Sequence, residues 1–321
     1  MDQQSTGILY NHLQKTLFFE YLCNMDLTRE ICMILDDAAV SYTVETACGR
    51  EVIFTGKPSE GIMTEERFSA AIIPASINAA DTETAGREAE SLQSAISQTT
   101  AQTGIYPLTI TEDRWHSQHE MMQSRLLAHL QIFTQIYARN CEIKKIDKQT
   151  AAEFLDKNHS YGDAKCRYRY GLYLKRHTGH NAGDNMLTPG TLVAVATFSN
   201  ARKWIKGDKT IRSYEWTRYA SLSGVRLSGG MGKLLNAFIE KVNPDDIMTY
   251  ADLEWSEGRV YETLGFALEG FKEPVSFYVD ASWRRFPIKP EEGSSLPEKT
   301  GNLFYQNLGS NKYRLKLTDY Q

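Results

Sequence analysis

The chain has 321 residues, 41% of them hydrophobic and 24% charged. That length suits about two folded units of roughly 100 to 200 residues, and the composition excludes collagen-like, fibrous and largely disordered chains. The net charge of −4 hides an asymmetry: residues 1–140 carry 9 Lys+Arg against 18 Asp+Glu, residues 141–321 carry 27 against 22, and the basic bias peaks from Lys165 to Arg218, where a polyanion would dock first.

In chain order, LQKTLFFEYLCNM (13–25) has apolar residues at helical spacing and predicts a first helix. REICMILDDAAV predicts a second, N-capped by Thr28, which runs into one strand-like stretch, YTVETACGREVIFTG. FSAAIIPASI reads as a short strand broken at Pro74, AESLQSAISQTTAQ as a helix, PLTITEDRW as a strand and HEMMQSRLLAHLQIFTQIYA as a long exit helix, placing a boundary near Asn140. Beyond it CEIKKID, RYRYGLYLKR, TLVAVATFS and SYEWTRYASLSGV read as strands, with the helix QTAAEFLDKNH after the first and Gly207-Asp208 as a hairpin tip. A glycine-rich turn, RLSGGMG, opens the amphipathic helix GKLLNAFIEKV. DIMTYADL is then a strand, SEGRVYETLG a helix closed by Gly265, and FALEGF and VSFYVDASW a final strand pair.

Five cysteines (Cys23, Cys32, Cys48, Cys141, Cys166), odd in number and without a CxxC pair, predict reduced thiols rather than a disulfide framework or a zinc knuckle. The opening MDQQSTG lacks a basic, apolar secretion signal, and no uncharged apolar run approaches the roughly 18 residues of a membrane span. A cytoplasmic, non-membrane protein is expected.

The order β, α, β, β, β, glycine loop, α, β, α, β, β over about residues 141–283 resembles the GNAT (Gcn5-related) N-acyltransferases, which move an acyl group from acyl-CoA to an amine. Arg226-Leu-Ser-Gly229-Gly230-Met231-Gly232-Lys233-Leu234-Leu235 is similar to the family's Q/R-x-x-G-x-G/A and Leu-rich helix, with Met231 where the family has Gly or Ala. In such a loop glycines let the backbone approach a phosphate, N–H groups converge on it, and the helix N-terminus adds partial positive charge. Val260-Tyr261-Glu262-Thr263-Leu264-Gly265-Phe266 is similar to L-Y-E-x-L-G-F, whose Tyr protonates the departing CoA thiolate. A phenol of pKa about 10 keeps its proton at neutral pH and suits that task.

The resemblance implies an α/β (α+β) fold, a GNAT-like mixed sheet flanked by helices, with acetyl-CoA or another acyl-CoA as co-substrate and no metal. It implies cofactor contacts from Leu222, Gly224, Val225, Arg226, Gly229, Gly230, Met231, Gly232 and Lys233, with backbone N–H groups of 222–225 polarising the acyl carbonyl and Tyr261 as the general acid. Candidates for the base that deprotonates the attacking ammonium are Glu215, Asp252, Glu254 and His159; an ion pair with Arg218 or Arg212 is the alternative for Glu215, and capping or packing for His159.

NHSYG (Asn158 to Gly162), the spaced LVAVATF and EWTRYASL, and the Asp252 strand resemble GNAT-like domains fused behind Vsr-like nuclease modules in phage and mobile-element proteins of homing-endonuclease type. Gly104-Ile105-Tyr106-Pro107-Leu108 through Glu112-Asp113-Arg114-Trp115 is similar to those modules' G-I-x-x-L strand ending in E-D-x-W, but FSAAIIP carries Ala71 near the place of the metal-binding Asp. Two-metal phosphodiester hydrolysis needs clustered carboxylates. Residues 1–140 are therefore expected to be a degenerate, nuclease-dead module of Vsr or restriction-endonuclease-like fold, and 141–321 an acyltransferase domain with a C-terminal extension from about 284. His116-x-x-His119 beside Glu112 and Glu120 lies on a charged helix, and His177, His180 and Asp184 lie in a polar loop; neither predicts a metal.

The expected function is an acyl-CoA-dependent N-acyltransferase acting on a small-molecule amine or on nucleic acid. The alternatives are a nucleic-acid-binding or nucleobase-modifying protein, contacting its partner through Arg202, Lys203, Lys206 and Lys209 at the hairpin tip, and a nuclease.

Overall fold

The computed structural model describes residues 26–56, 68–176, 187–288 and 303–320. The helix expected at 13–25, Cys23, and the His177, His180 and Asp184 loop lie outside them.

The N-terminal half is a three-layer unit. Helix α1 (Leu27–Asp37) precedes strands β1 (Tyr42–Ala47), β2 (Arg50–Gly56) and β3 (Phe68–Ala75); helix α2 (Thr82–Thr103) then crosses over to β4 (Leu108–Thr111). The sheet order is β1-β2-β3-β4, antiparallel except for the β3–β4 pair, which the crossover makes parallel. Alternation along the strands divides the core. Ile53 and Ile72 meet Leu27, Ile31, Leu35, Trp115 and Leu126 on one face, while Val52, Phe54, Ala71 and Ile73 meet Leu92, Ala95 and Ile96 of α2 on the other.

Local chemistry departs from the sequence expectation at four places here. Asp26, not Thr28, is the N-cap of α1, and the Thr28 hydroxyl donates to Glu51 (2.5 Å). The stretch read as one strand is a hairpin, because Cys48 (φ 47°) and Gly49 (φ 76°) form a tight turn in the left-handed region. Strand β3 continues through Pro74, which lies beyond its last pair with β2 at Ile72, where a missing N–H is tolerated. Finally, Glu112 ends β4 by opening helix α3 (Glu112–Ser117), and the exit helix is only α4 (His119–His129), followed by Gln131 at φ 63° and strand β5 (Thr134–Tyr137).

The C-terminal half is a mixed sheet flanked by helices. Its elements are β6 (Cys141–Lys145), α5 (Lys148–Asn158), β7 (Tyr168–Leu174), β8 (Leu192–Phe198), β9 (Arg202–Lys206), β10 (Lys209–Ser221), β11 (Val225–Ser228), α6 (Gly230–Val242), β12 (Asp246–Asp252), α7 (Arg259–Thr263) and β13 (Ala267–Lys272). After them come β14 (Ser276–Val279), β15 (Arg285–Pro287), β16 (Leu303–Gln306) and β17 (Ser310–Lys316). The main sheet runs β13-β17-β12-β10-β8-β7-β6, with β9 hairpinned onto β10 through Gly207 at φ 58°. Helix α5 is capped by Asp147 and covers one face with Ala151, Phe154 and Leu155 against Val195 and Ala220. Helix α6 covers the other, its Phe238 ring stacked on Phe198 at 3.9 Å.

The final strand pair differs from the expectation. β13 pairs with β17, not β14, and Tyr313 of β17, opposite Leu268, is buried in the main core. Between them the chain leaves the sheet to form β15-β14-β16, where Phe277, Val279 and Tyr305 pack on Ile77 of the N-terminal half and Phe304 N–H donates to the Ala79 carbonyl (2.9 Å). β17 is therefore an inner strand of the main sheet, between β13 and β12, rather than part of an appended tail. A second link across the halves is the parallel pair of β5 with β11.

Candidate active site

Strands β10 and β12 run parallel but pair only at Ser213–Asp246, Tyr214–Ile247 and Glu215–Met248. Beyond this β10 follows β8 while β12 follows β17, so the sheet forks. At the fork the register of β10 shifts between Trp216 and Arg218, a bulge that leaves Thr217 as the extra residue, and Thr249 Oγ1 donates to the Trp216 carbonyl (3.1 Å) across the gap. A cavity of about 1260 Å³ opens here, with Trp216, Thr217, Tyr219, Met231 and Tyr261 in its wall.

The glycine loop delivers helix α6 to this cavity. Gly229 (φ 76°) is its N-cap and offers no side-chain cap, and the first intrahelical bond runs from Lys233 N–H to the Gly229 carbonyl (3.0 Å). The N–H groups of Gly230, Met231 and Gly232 occupy the first turn, the usual place for an anion. Gly230 is required by packing as well: a Cβ would approach Leu227 to 2.6 Å and the Tyr219 hydroxyl to 2.8 Å. This uncapped turn beside a large cavity fits a pyrophosphate-bearing ligand.

Other expected cofactor contacts are spent inside the protein. Leu222 N–H donates to the Val193 carbonyl (2.9 Å), Ser223 N–H to Asn158 Oδ1 (2.8 Å), Gly224 N–H to Ser124 Oγ (2.6 Å) and Val225 N–H to the Leu222 carbonyl (3.0 Å). They hold the loop and do not form the carbonyl-polarising pocket that was expected. Lys233 Nζ donates to the Ala138 and Cys141 carbonyls (2.9 and 2.7 Å), tying α6 to the start of β6, and Arg226 lies 5.3 Å from the centre of the Phe133 ring.

Of the proposed catalytic groups, Tyr261, Glu215, Asp252 and His159 all line the cavity. Tyr261 packs on Trp216, Phe266 and Tyr313, and burial pushes its phenol pKa up against the opposing effect of Thr249, so it holds its proton at neutral pH. Glu215 closes the paired part of the fork; the two arginines considered as its ion partners are committed elsewhere, Arg212 to Asp245 (3.2 Å) and Arg218 to the Gly162 and Thr217 carbonyls (3.0 and 2.7 Å). Burial, then the Glu254 charge, raise the Asp252 carboxyl, with Arg114 opposing. His159 Nδ1 accepts from Tyr161 N–H (3.1 Å), so its neutral ring carries the proton on Nε2 and offers a donor, not a base. Burial, then Arg125, Arg218 and Arg114, hold it neutral.

Glu254 is withdrawn from catalysis altogether. It is fully buried, with Oε2 accepting from Arg114 (2.6 Å) and Oε1 from Tyr305 (2.7 Å) and Arg285 (3.3 Å). Burial alone would push its carboxyl up, but Arg114 and Arg285 hold it low. The same interlock consumes the carboxylates of the E-D-x-W motif. Asp113 is paired with Arg285, which also donates to Thr111 Oγ1 (2.7 Å), and Glu112 accepts from Ile77 N–H (2.7 Å). Ala71 faces the apolar layer under α2. His116 lies 4.7 Å from Trp283 and His119 4.7 Å from Trp115, ring to ring, and among the described residues no three His, Cys, Asp or Glu are grouped to hold a metal.

Arg202, Lys203 and Lys206 are exposed along β9 with Trp204 and Ile205, and Lys209 donates to the Asp319 carbonyl (3.0 Å). Among the described residues no helix is long and apolar enough to cross a membrane. The bulge at Thr217 and a group formed by Arg125, Arg114, Tyr161 and Trp255 were not foreseen, since each depends on pairing or packing between distant segments.

No protein family and no curated protein matches the chain. Solved structures similar to it include a chain of the NatC complex bound to Gag peptide and CoA, at 16% identity and TM-score 0.32 over 56% of this chain and 99% of that one. Others are a histone acetyltransferase HPA2 and related acetyltransferase from Corynebacterium glutamicum (10%, 0.31, 55% and 95%) and a GNAT-family acetyltransferase from Bacillus anthracis (14%, 0.29, 55% and 95%).

Proposed function

We propose that the chain is an acyl-CoA-dependent N-acyltransferase whose reaction takes place at the fork between β10 and β12, and that its N-terminal half is a nuclease-dead scaffold. The observation that carries the reading is the coincidence, at one fork, of a strand bulge, a phenol kept protonated and the uncapped first turn of α6. An acyl-CoA would supply an activated thioester. The N–H groups of Gly230 to Gly232 would hold its pyrophosphate, and the bulged backbone around Thr217 would face the acyl carbonyl. Glu215 would take the proton of the attacking ammonium, directly or through water, and Tyr261 would give its proton to the departing sulfur. Asp252 is the less accessible base, because its Oδ2 is buried and faces Arg114 at 3.6 Å.

Titration calorimetry with acetyl-CoA tests this directly: saturable binding is expected, and its absence at millimolar ligand would remove the basis of the reading. A second reading, with a polynucleotide as acceptor, draws on the exposed cations and Trp204 of the β9–β10 hairpin. Changing Arg202, Lys203, Lys206 and Lys209 to Gln should then lower the salt slope of binding by up to about four, roughly one per lost phosphate contact.

A further inference from the structure

Beside Glu215 and Asp252 the cavity is lined by Arg125, Arg218, Tyr161 and Trp255, with the buried Arg114 against both rings. Arg125 of α4 lies 4.1 Å from the centre of the Trp255 ring, Arg114 of α3 lies 5.4 Å from Trp255 and 4.7 Å from Tyr161, and Arg218 of β10 lies 5.9 Å from Tyr161. The three cations are not balanced evenly. Glu254 at 2.6 Å and Asp252 at 3.6 Å both bear on Arg114, whereas among the described residues no carboxylate lies within 4.0 Å of the Arg125 or Arg218 guanidinium. Burial, then repulsion from Arg114, pull the pKa of Arg125 down to about 10, which leaves it charged at neutral pH. Arg125 is half-buried in the cavity wall, and the Asp252 charge only partly offsets these effects, so an anion entering the cavity would meet a cation with no close counter-ion.

The wall also holds open valences. Trp255 Nε1 is buried and makes no hydrogen bond to the described residues, while Arg114 Nη2 and Asp252 Oδ2 meet only each other, at 3.6 Å, longer than a hydrogen bond. Buried polar atoms are almost always partnered, so an orphaned indole N–H beside two guanidinium groups that lack a carboxylate partner marks a surface able to meet a polar ligand.

We propose that this wall is the acceptor subsite, and that it takes an amine carrying an oxyanion, phosphate or carboxylate, held by Arg125 and Arg218 beside Glu215. The role as acceptor rests on acyl transfer being the reaction, while the anion site stands on its own geometry. A guanidinium fork matches the planar or tetrahedral oxygens of an oxyanion. Trp255 and Tyr161 each already carry two guanidinium groups, so the wall presents charge more than an open ring face for a base. It is distinct from the first turn of α6, to which none of these residues belongs, and it surrounds the groups proposed to receive the amine's proton.

The test uses the full chain saturated with CoA, titrated by calorimetry with three amines: O-phosphoethanolamine, β-alanine and ethanolamine. Binding of the first, the second or both is expected, at least about tenfold tighter than ethanolamine, and comparison of the two arms tells phosphate from carboxylate. Arg125→Gln and Arg218→Gln should each weaken that binding about tenfold or more with CoA affinity unchanged. Arg125→Gln removes a half-buried cation that has no ion partner, so its melting temperature should not fall, which separates lost binding from lost fold. In a Gly229→Glu chain, or if CoA fails to bind at all, anion binding should persist, so failure of the acyltransferase reading and failure of this site give different results. Equal binding of all three amines, or unchanged anion binding in Arg125→Gln, would overturn the proposal. Weaker CoA binding in Arg125→Gln would also overturn it, by assigning the wall to the nucleotide.

Discussion

Two regions of the molecule treat their charged residues in opposite ways. In the N-terminal sheet the motif that looked most like metal chemistry is spent on structure: Asp113 on Arg285, Glu112 on the Ile77 amide, and the third position filled by Ala71 in an apolar layer. Around the fork of the C-terminal sheet, Glu215, Arg218 and the Arg125 contributed by α4 have no ion partner among the described residues, and the first turn of α6 has no side-chain cap. A charge closed into a pair stabilises or specifies the fold, whereas a charge held without a partner in a cleft costs stability and has to be explained by what the cleft binds.

The largest effect should come from opening the closed side. Arg285→Ala leaves Asp113 and part of Glu254 uncompensated and should cost about 3–5 kcal/mol in denaturant unfolding, while Arg125→Gln costs nothing; equal costs would erase the contrast. Next, Gly229→Glu sets a carboxylate against the first turn of α6 and should weaken CoA binding by about a hundredfold or more by calorimetry, with Gly229→Ala as the control for backbone strain at φ 76°. Tyr261→Phe keeps the ring packed but removes the proton, so thiol release should slow by about a hundredfold at nearly constant CoA affinity; an unchanged rate would return Tyr261 to the core. On the closed side, plasmid DNA incubated with magnesium or manganese should stay intact, and cleavage abolished by Asp113→Asn would reverse that assignment.

The smallest effect concerns a pair at the surface. Hydrogen bonds from Arg314 lead in holding the Glu269 carboxyl at about 2, below an unfolded value of about 4.3. Its contribution is therefore present above pH about 4.3 and is lost as the pH falls through about 2. Because Glu269 is more than a third exposed, the loss should be under about 1 kcal/mol, and Glu269→Gln should flatten the acid limb of the stability curve by that amount.

Local pattern made much of the C-terminal half legible. The strand, glycine loop and amphipathic helix from Ser213 to Val242 follow from periodicity and capping, as does the short helix closed by Gly265 at φ 87°. Glu112 to Trp115 reads as a strand end because three charged residues follow four β-prone ones, yet these residues form a helix whose Trp115 is buried. The 222–225 amides were assigned to the ligand because nothing in sequence announces that Asn158 and Ser124 will reach them. The Arg285 interlock and the Arg125 wall join residues far apart in the chain, and such pairings leave no periodic trace.

The excursion of the chain between β13 and β17 works as a stitch. The chain departs from the large sheet, threads along the small one and comes back beside β12. No single cut divides it into two self-sufficient pieces, so the halves should melt together in one cooperative transition. The same threading would constrain inheritance: a single crossover could not trade one half for another without taking a strand from the sheet it left behind.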